Sequence, residues 1–143
     1  CCFQQKPPKK VLDVGAGTGI LAMAAVLFGA DELLALDNDP EAVRTAQENI
    51  RHNNLAEQIQ VSGAALREVS SSFDLICANT LHDVLAAMAL AISQRLNANG
   101  RVVLAGILRG QQEENIIKVY AELGLTLRQK AYQEEWVALL LGR

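Results

Sequence analysis

Aromatic residues make up only 4% of this 143-residue chain. Its core therefore has to be built from Leu, Ala, Val and Ile, within an apolar content of half the sequence. Positive charge is not in excess either. The net charge of −3 argues against tight non-specific binding to nucleic acid, which needs a basic face to displace counterions. No apolar run reaches the roughly 18–20 residues of a membrane span. Cysteine is scarce: three residues cannot make a disulfide framework. Cys77 falls in an apolar strand pattern, as a small buried hydrophobe does, and Cys1 and Cys2 have no Cys or His at metal spacing around them. No metal is expected. The opening residues carry no apolar segment with a cleavage site, so no secretory signal is read there. A reducing cytoplasm fits this usage. The chain opens on Cys1 rather than Met, which reads as a fragment or a processed form.

What is present alternates. Strand signals fall at Lys10–Val14, Leu33–Leu36, Gln58–Ser62, Phe73–Ala78 and Arg101–Leu108. Between the first two, Leu21–Phe28 reads as a helix apolar nearly all round, hence buried, and Gly29 closes it. Asp39 caps the next helix with Pro40 at its first position. Ala42, Val43, Ala46 and Ile50 form that helix's inward face, and Asn53-Asn54 ends it. A short turn or helix is expected near Ala64–Val69. Leu81, Leu85, Met88, Ile92 and Leu96 recur at helical spacing, giving a helix that stops at Asn97-Ala98-Asn99-Gly100. A last helix covers Gln111–Leu123. Leu125–Tyr132 and Trp136–Leu141 then read as a hairpin. Continuous apolar strands separated by helices imply a parallel sheet covered on both faces. Right-handed crossovers make it doubly wound, with the ligand crevice at the strand C-termini. The expected fold is thus α/β, a doubly wound, mostly parallel seven-stranded sheet with an antiparallel C-terminal hairpin, in one domain over residues 1–143.

Two segments carry chemistry. Val-Leu-Asp-Val-Gly-Ala-Gly-Thr-Gly closes the first strand, and Leu-Asp-Asn-Asp-Pro closes the second, with 22 residues from Gly15 to Asp37. The glycines stand at 15, 17 and 19 with Ile20 after them. A dinucleotide fingerprint needs its third glycine one residue later, where the helix packs close and a pyrophosphate rests on its first turn. G-x-G-x-G without it is the pattern of S-adenosylmethionine sites, where no phosphate has to be cradled. Gly15, Ala16 and Gly17 would let bare backbone pass the methionine portion. Asp37 would take both ribose hydroxyls, and Asn38 would lie beside the adenine edge. Asp13, just before the glycines, either shapes the turn or reaches the cofactor. Gly63-Ala64 would flank the adenine, with backbone groups replacing the acid that many such enzymes place there. Asn79 ends the fourth strand. An amide here can accept from a substrate amine and aim its lone pair at the sulfonium methyl, and positioning is most of what that displacement needs. The bland alternative is a helix cap. His82-Asp83 would be either a general-base pair or an ordinary solvent-exposed helix start, the commoner case, and His52 a surface residue.

The chain resembles the bacterial methyltransferases that modify ribosomal large-subunit protein L-eleven, within the class I S-adenosylmethionine-dependent fold. Val-Leu-Asp-Val-Gly-Ala-Gly-Thr-Gly-Ile-Leu-Ala looks like the family's first motif and Leu-Asp-Asn-Asp-Pro-Glu-Ala-Val like its second. Ala-Asn-Thr-Leu stands where the family has Ala-Asn-Ile-Leu. Gly-Arg-Val-Val-Leu-Ala-Gly-Ile-Leu and Glu-Glu-Trp-Val-Ala-Leu resemble its last two blocks. The resemblance implies that Gly15, Asp37 and Asn79 are cofactor-site residues and that the acceptors are amino groups of a ribosomal protein. Two features differ. Thr80-Leu81-His82-Asp83 replaces the smaller apolar run usual after the asparagine, and the family's N-terminal substrate domain and threonine-bearing cofactor loop are not in this sequence. Rival readings are a small-molecule methyltransferase, an NAD-binding oxidoreductase (against which Ile20 speaks) and a non-catalytic cofactor-binding fragment.

Overall fold

A computed structural model describes residues 6–143, so the readings made for Cys1 and Cys2 lie outside the described residues. These residues form two compact units, one ending at Val69 and the other beginning at Ser70.

The first unit holds β1 (Lys10–Val14), α1 (Ile20–Leu27), β2 (Glu32–Leu36), α2 (Pro40–His52) and β3 (Ile59–Ser62), followed by a 3-10 turn at Leu66–Glu68. Its strands run in the order β3-β2-β1, all parallel. Register decides where the chemistry falls. Val14 pairs with Leu36, and Leu36 with Ser62, so the three strands end in one row. Gly15, Asp37 and Gly63 are the next residues along it. Asp39 caps α2 as expected, its carboxylate accepting from the Glu41 N–H at 2.9 Å with Pro40 behind it. Ala46 and Ile50 are the buried residues of that helix, while Ala42 and Val43 are only half-buried.

α1 corrects one expectation. Only Ala22 and Val26 are buried, while Ile20 and Leu27 are 66% and 76% exposed. An apolar helix surface is buried only where something packs on it. Residues 22 and 26 share the face one turn apart that meets the sheet, and the opposite face is open among the described residues.

The second unit holds β4 (Phe73–Asn79), α3 (His82–Gln94), β5 (Leu96–Leu108), α4 (Gln111–Glu122), β6 (Thr126–Gln133) and β7 (Trp136–Gly142). β4 and β5 are parallel. β7 returns antiparallel beside β5 with β6 outermost, so the hairpin's second strand is the inner one. Glu134, at φ 53°, makes its turn.

Two sequence readings change here. Leu96 belongs to β5 rather than to the preceding helix, and Asn97–Gly100 continues the strand instead of breaking it. The polar run is carried as an irregularity: Phe73 pairs with Leu96 and Leu75 with Arg101, while the Asn97 side chain donates to Asp74 at 2.7 Å. The buried face of α3 is Leu85, Ala89, Ile92 and Ser93, not the full predicted stripe. Leu81 precedes the helix and is exposed, and Met88 is half-buried. Cys77, in β4, is likewise half-buried rather than sealed. Tyr120 is fully buried, and its hydroxyl donates to the Leu85 carbonyl at 3.0 Å, tying α4 to α3. No helix among the described residues is long and apolar enough to cross a membrane.

Candidate functional site

The strand ends of the first unit are built from their backbone upward. The N–H groups of Gly15 and Ala16 donate to the Leu36 carbonyl at 2.8 and 2.9 Å, so the glycine turn is sewn to the end of β2. Gly17, at φ +55°, would meet nothing within 4 Å if it carried a Cβ. Its glycine answers a left-handed backbone that other residues rarely adopt and leaves open space beside it. Asp37 is held from both sides: Oδ2 accepts from the Gly17 N–H at 2.9 Å, and Oδ1 from the Asp39 N–H at 3.0 Å. A carboxylate offers about four lone-pair positions, so each oxygen can still accept. Asn38 beside it is exposed. At the end of β3, the Ala64 N–H donates to Ser62 Oγ at 3.1 Å and the Ala65 N–H to Glu68 at 2.7 Å. The Ala64 amide, one of the backbone groups expected beside the adenine, is therefore already engaged internally.

Asp13 is the second acid of this cluster. It is 2% exposed, and its Oδ2 has no hydrogen-bond partner. Burial pushes its carboxyl up to about 6, against a lowering hydrogen bond from the Ala22 amide, and the Asp37 charge adds to the rise. An orphaned acceptor in a buried position is costly. It marks a place where the protein has left an interaction incomplete.

In the second unit, Asn79 is the last residue of β4, with an exposed side chain. It is not the cap of α3: that position is Leu81, without any side-chain cap bond. His82 departs from the exposed helix start expected as the commoner case. Its side chain is 20% exposed, Nδ1 pairs with Asp83 at 2.7 Å, and Nε2 pairs with Asn115 Oδ1 of α4 at 2.9 Å. Both ring nitrogens are committed, so the pair acts as a tie between helices. His52 is exposed at the end of α2, as expected.

Three contributors were not read from the sequence. Asn49 donates to the Thr18 carbonyl at 2.9 Å, steadying the glycine loop from α2, although its place in the helix pattern is unremarkable. Asn115 engages His82 from 33 residues away, a separation that no local signal spans. Glu113, 6% exposed, takes Lys130 at 2.6 Å and Tyr132 at 2.9 Å. Lys130 chiefly holds its carboxyl below the usual value. No group of three or more His, Cys, Asp or Glu suited to a metal ion occurs among the described residues.

Comparison with known proteins bears on the family and the fold. The sequence model for ribosomal protein L11 methyltransferase (PrmA) matches residues 3–143. A protein of that name from Desulfotalea psychrophila is 47% identical over 139 residues, covering 97% of this chain and 46% of the relative. The chain thus spans about half the length of the curated relatives it matches. The crystal structure of ribosomal protein L11 methylase from Lactobacillus delbrueckii subsp. bulgaricus superposes with a TM-score of 0.91 at 34% identity, covering 98% of this chain and 72% of that one. Magnesium protoporphyrin IX methyltransferase from Synechocystis, solved with bound SAM, shares the fold at a TM-score of 0.78 and 17% identity, with 94% and 69% covered. These likenesses bear out the fold class: α/β and Rossmann-like, with seven strands, mostly parallel, and an antiparallel C-terminal pair. With the glycine turn, the clamped acid and a match over residues 3–143, this chain belongs to the ribosomal protein L11 methyltransferase family.

Proposed function

We propose that this chain is the catalytic part of an S-adenosylmethionine-dependent N-methyltransferase acting, in the cytoplasm, on amino groups of a ribosomal large-subunit protein. The reading takes residues 1–143 as one cofactor-binding domain. The observation that carries it is Asp37, held by the Gly17 and Asp39 amides and still able to accept on both oxygens. A ribose diol presents two donors to such a group. The residues also fit the rest of the molecule. Asp13 and Asp37 favour a ligand bearing sulfonium and ammonium charges and disfavour a pyrophosphate. The open space at Gly17 suits an unbranched amino-acid tail. Relatives named ribosomal protein L11 methyltransferase support the acceptor class, and the SAM-bound neighbour supports the donor.

Bound S-adenosylmethionine supplies a methyl group already activated by its sulfonium. The chain's own work is then to bind and to aim. Gly15, Ala16 and Gly17 line the amino-acid portion, Asp37 holds the ribose, and Asn38 and Ala64 flank the adenine. Asp13 supplies buried negative charge. Asn79 accepts a hydrogen bond from the acceptor amine and directs its lone pair, a gain of orientation rather than of acid–base power. His82 does not serve as the base, because its nitrogens already hold Asp83 and Asn115.

Calorimetric titration with S-adenosylhomocysteine tests the donor site. Saturable binding is expected, and Asp37→Ala should weaken it by about 1–3 kcal/mol, the scale of lost hydrogen bonds to a charged group. Binding of NADH in its place overturns the reading. For the acceptor, the full gene product containing this chain should move labelled methyl to ribosomal protein and not to metabolites.

A further inference from the structure

Gly106 belongs to the Gly-Ile-Leu block, which the cofactor site leaves unused. It lies where β5 stops being regular. Asn79 pairs with Ala105 at the last step of the β4–β5 ladder, and the β5–β7 register slips between Leu104 and Ile107. Gly106 itself has φ +82°. A Cβ at this position would stand 2.5 Å from the Thr80 carbonyl oxygen, 3.2 Å from the Thr80 carbonyl carbon and 3.1 Å from Asn79 Oδ1. The first two are backbone atoms and cannot swing away. Irregularities of this kind recur beside active sites, where they re-aim a neighbouring side chain.

We propose that Gly106 is a positioning residue for Asn79: the bare α-carbon in the β5 irregularity is the floor on which the Asn79–Thr80 peptide and the Asn79 amide oxygen rest. The proposal rests on the reading of Asn79 as the group that aims the acceptor amine. With glycine at 106 the chain can lie directly against the peptide that carries the amide. Any side chain lifts that peptide and changes the direction in which Oδ1 points. The reaction is sensitive to such a change, because a misplacement on the order of 1 Å can cost about a hundredfold in rate. Gly106 belongs to the second unit, whereas the glycine turn and Asp37 belong to the first, so cofactor affinity should be spared.

The test compares Asn79→Ala, Gly106→Ala and the double variant in the full gene product, reading kcat for methyl transfer and the dissociation constant for S-adenosylhomocysteine. Gly106→Ala should lower kcat on the order of 10- to 100-fold, with cofactor affinity within about twofold. In the double variant kcat should match Asn79→Ala alone, since a residue acting through Asn79 has nothing left to disturb. Unchanged kcat in Gly106→Ala, or losses that multiply in the double variant, overturns the proposal while leaving Asn79 in its role. Full activity in Asn79→Ala overturns the Asn79 reading and this proposal with it. Should Gly106→Ala not fold, nitrogen relaxation of the Asn79 side-chain amide in the unaltered chain decides: an ordered amide supports the floor, and an order parameter below about 0.6 sinks it.

Discussion

Asp13 and Asp37 sit at the ends of neighbouring strands and do different work. Asp37 organises the glycine turn as well as offering acceptors, so Asp37→Asn should loosen Gly17 and weaken cofactor binding together. Proton exchange at the Gly17 amide, measured by NMR, should quicken in that variant. Asp13 has a pH signature. Its folded carboxyl is raised from 3.8 to about 6, so between those values the unfolded chain holds fewer protons than the folded one. Stability therefore declines as pH rises through that window. Asp13→Asn removes the titration, and its stability advantage over the unaltered chain should grow from pH 4 to pH 7 by at most about 3 kcal/mol, read from urea midpoints without cofactor. Both aspartates were legible in the sequence, because a strand-end acid beside a glycine turn is a local pattern. The burial of Asp13 and the Asn115 bond to His82 were not, since each depends on segments far along the chain.

At the scale of elements, strand and helix identity followed from composition and period, while exposure and boundaries followed from packing. α1 has an apolar pattern on every side, and only contact with the sheet selects Ala22 and Val26 as its buried residues. Asn97–Gly100 carries the composition of a turn, yet the pairing of its neighbours Leu96 and Arg101 with β4 carries it within β5 as an irregularity. Two element-level ties can be measured. Tyr120→Phe removes the bond to the Leu85 carbonyl and should cost about 1 kcal/mol, with an unchanged urea m-value. Glu113→Gln should lower stability at pH 7. Lys130, Tyr132 and the Gly110 amide hold the Glu113 carboxyl below its ordinary 4.5, so this contribution is present above that value and is lost as pH falls through the lower folded one. Equal urea midpoints at pH 7 for the two forms would remove Glu113 from the forces holding α4 to β6.

For the whole molecule, a ligand that binds only the folded chain stabilises it by mass action. S-adenosylhomocysteine at a hundred times its dissociation constant should add about 2.7 kcal/mol, which for a chain of this size raises Tm by roughly 5–10 °C. NADH at equal concentration should leave Tm where it was. Composition and spacing alone determined the α/β alternation, the glycine turn and the acid 22 residues beyond Gly15, because each is written in residues near one another along the chain. Tertiary structure alone decided that Val14, Leu36 and Ser62 end in one row, that Asp37 braces Gly17, and that Gly106 lies against Asn79. Those are relations of register and close approach between segments 20 or more residues apart, and no local propensity encodes the distance at which two strands come to rest.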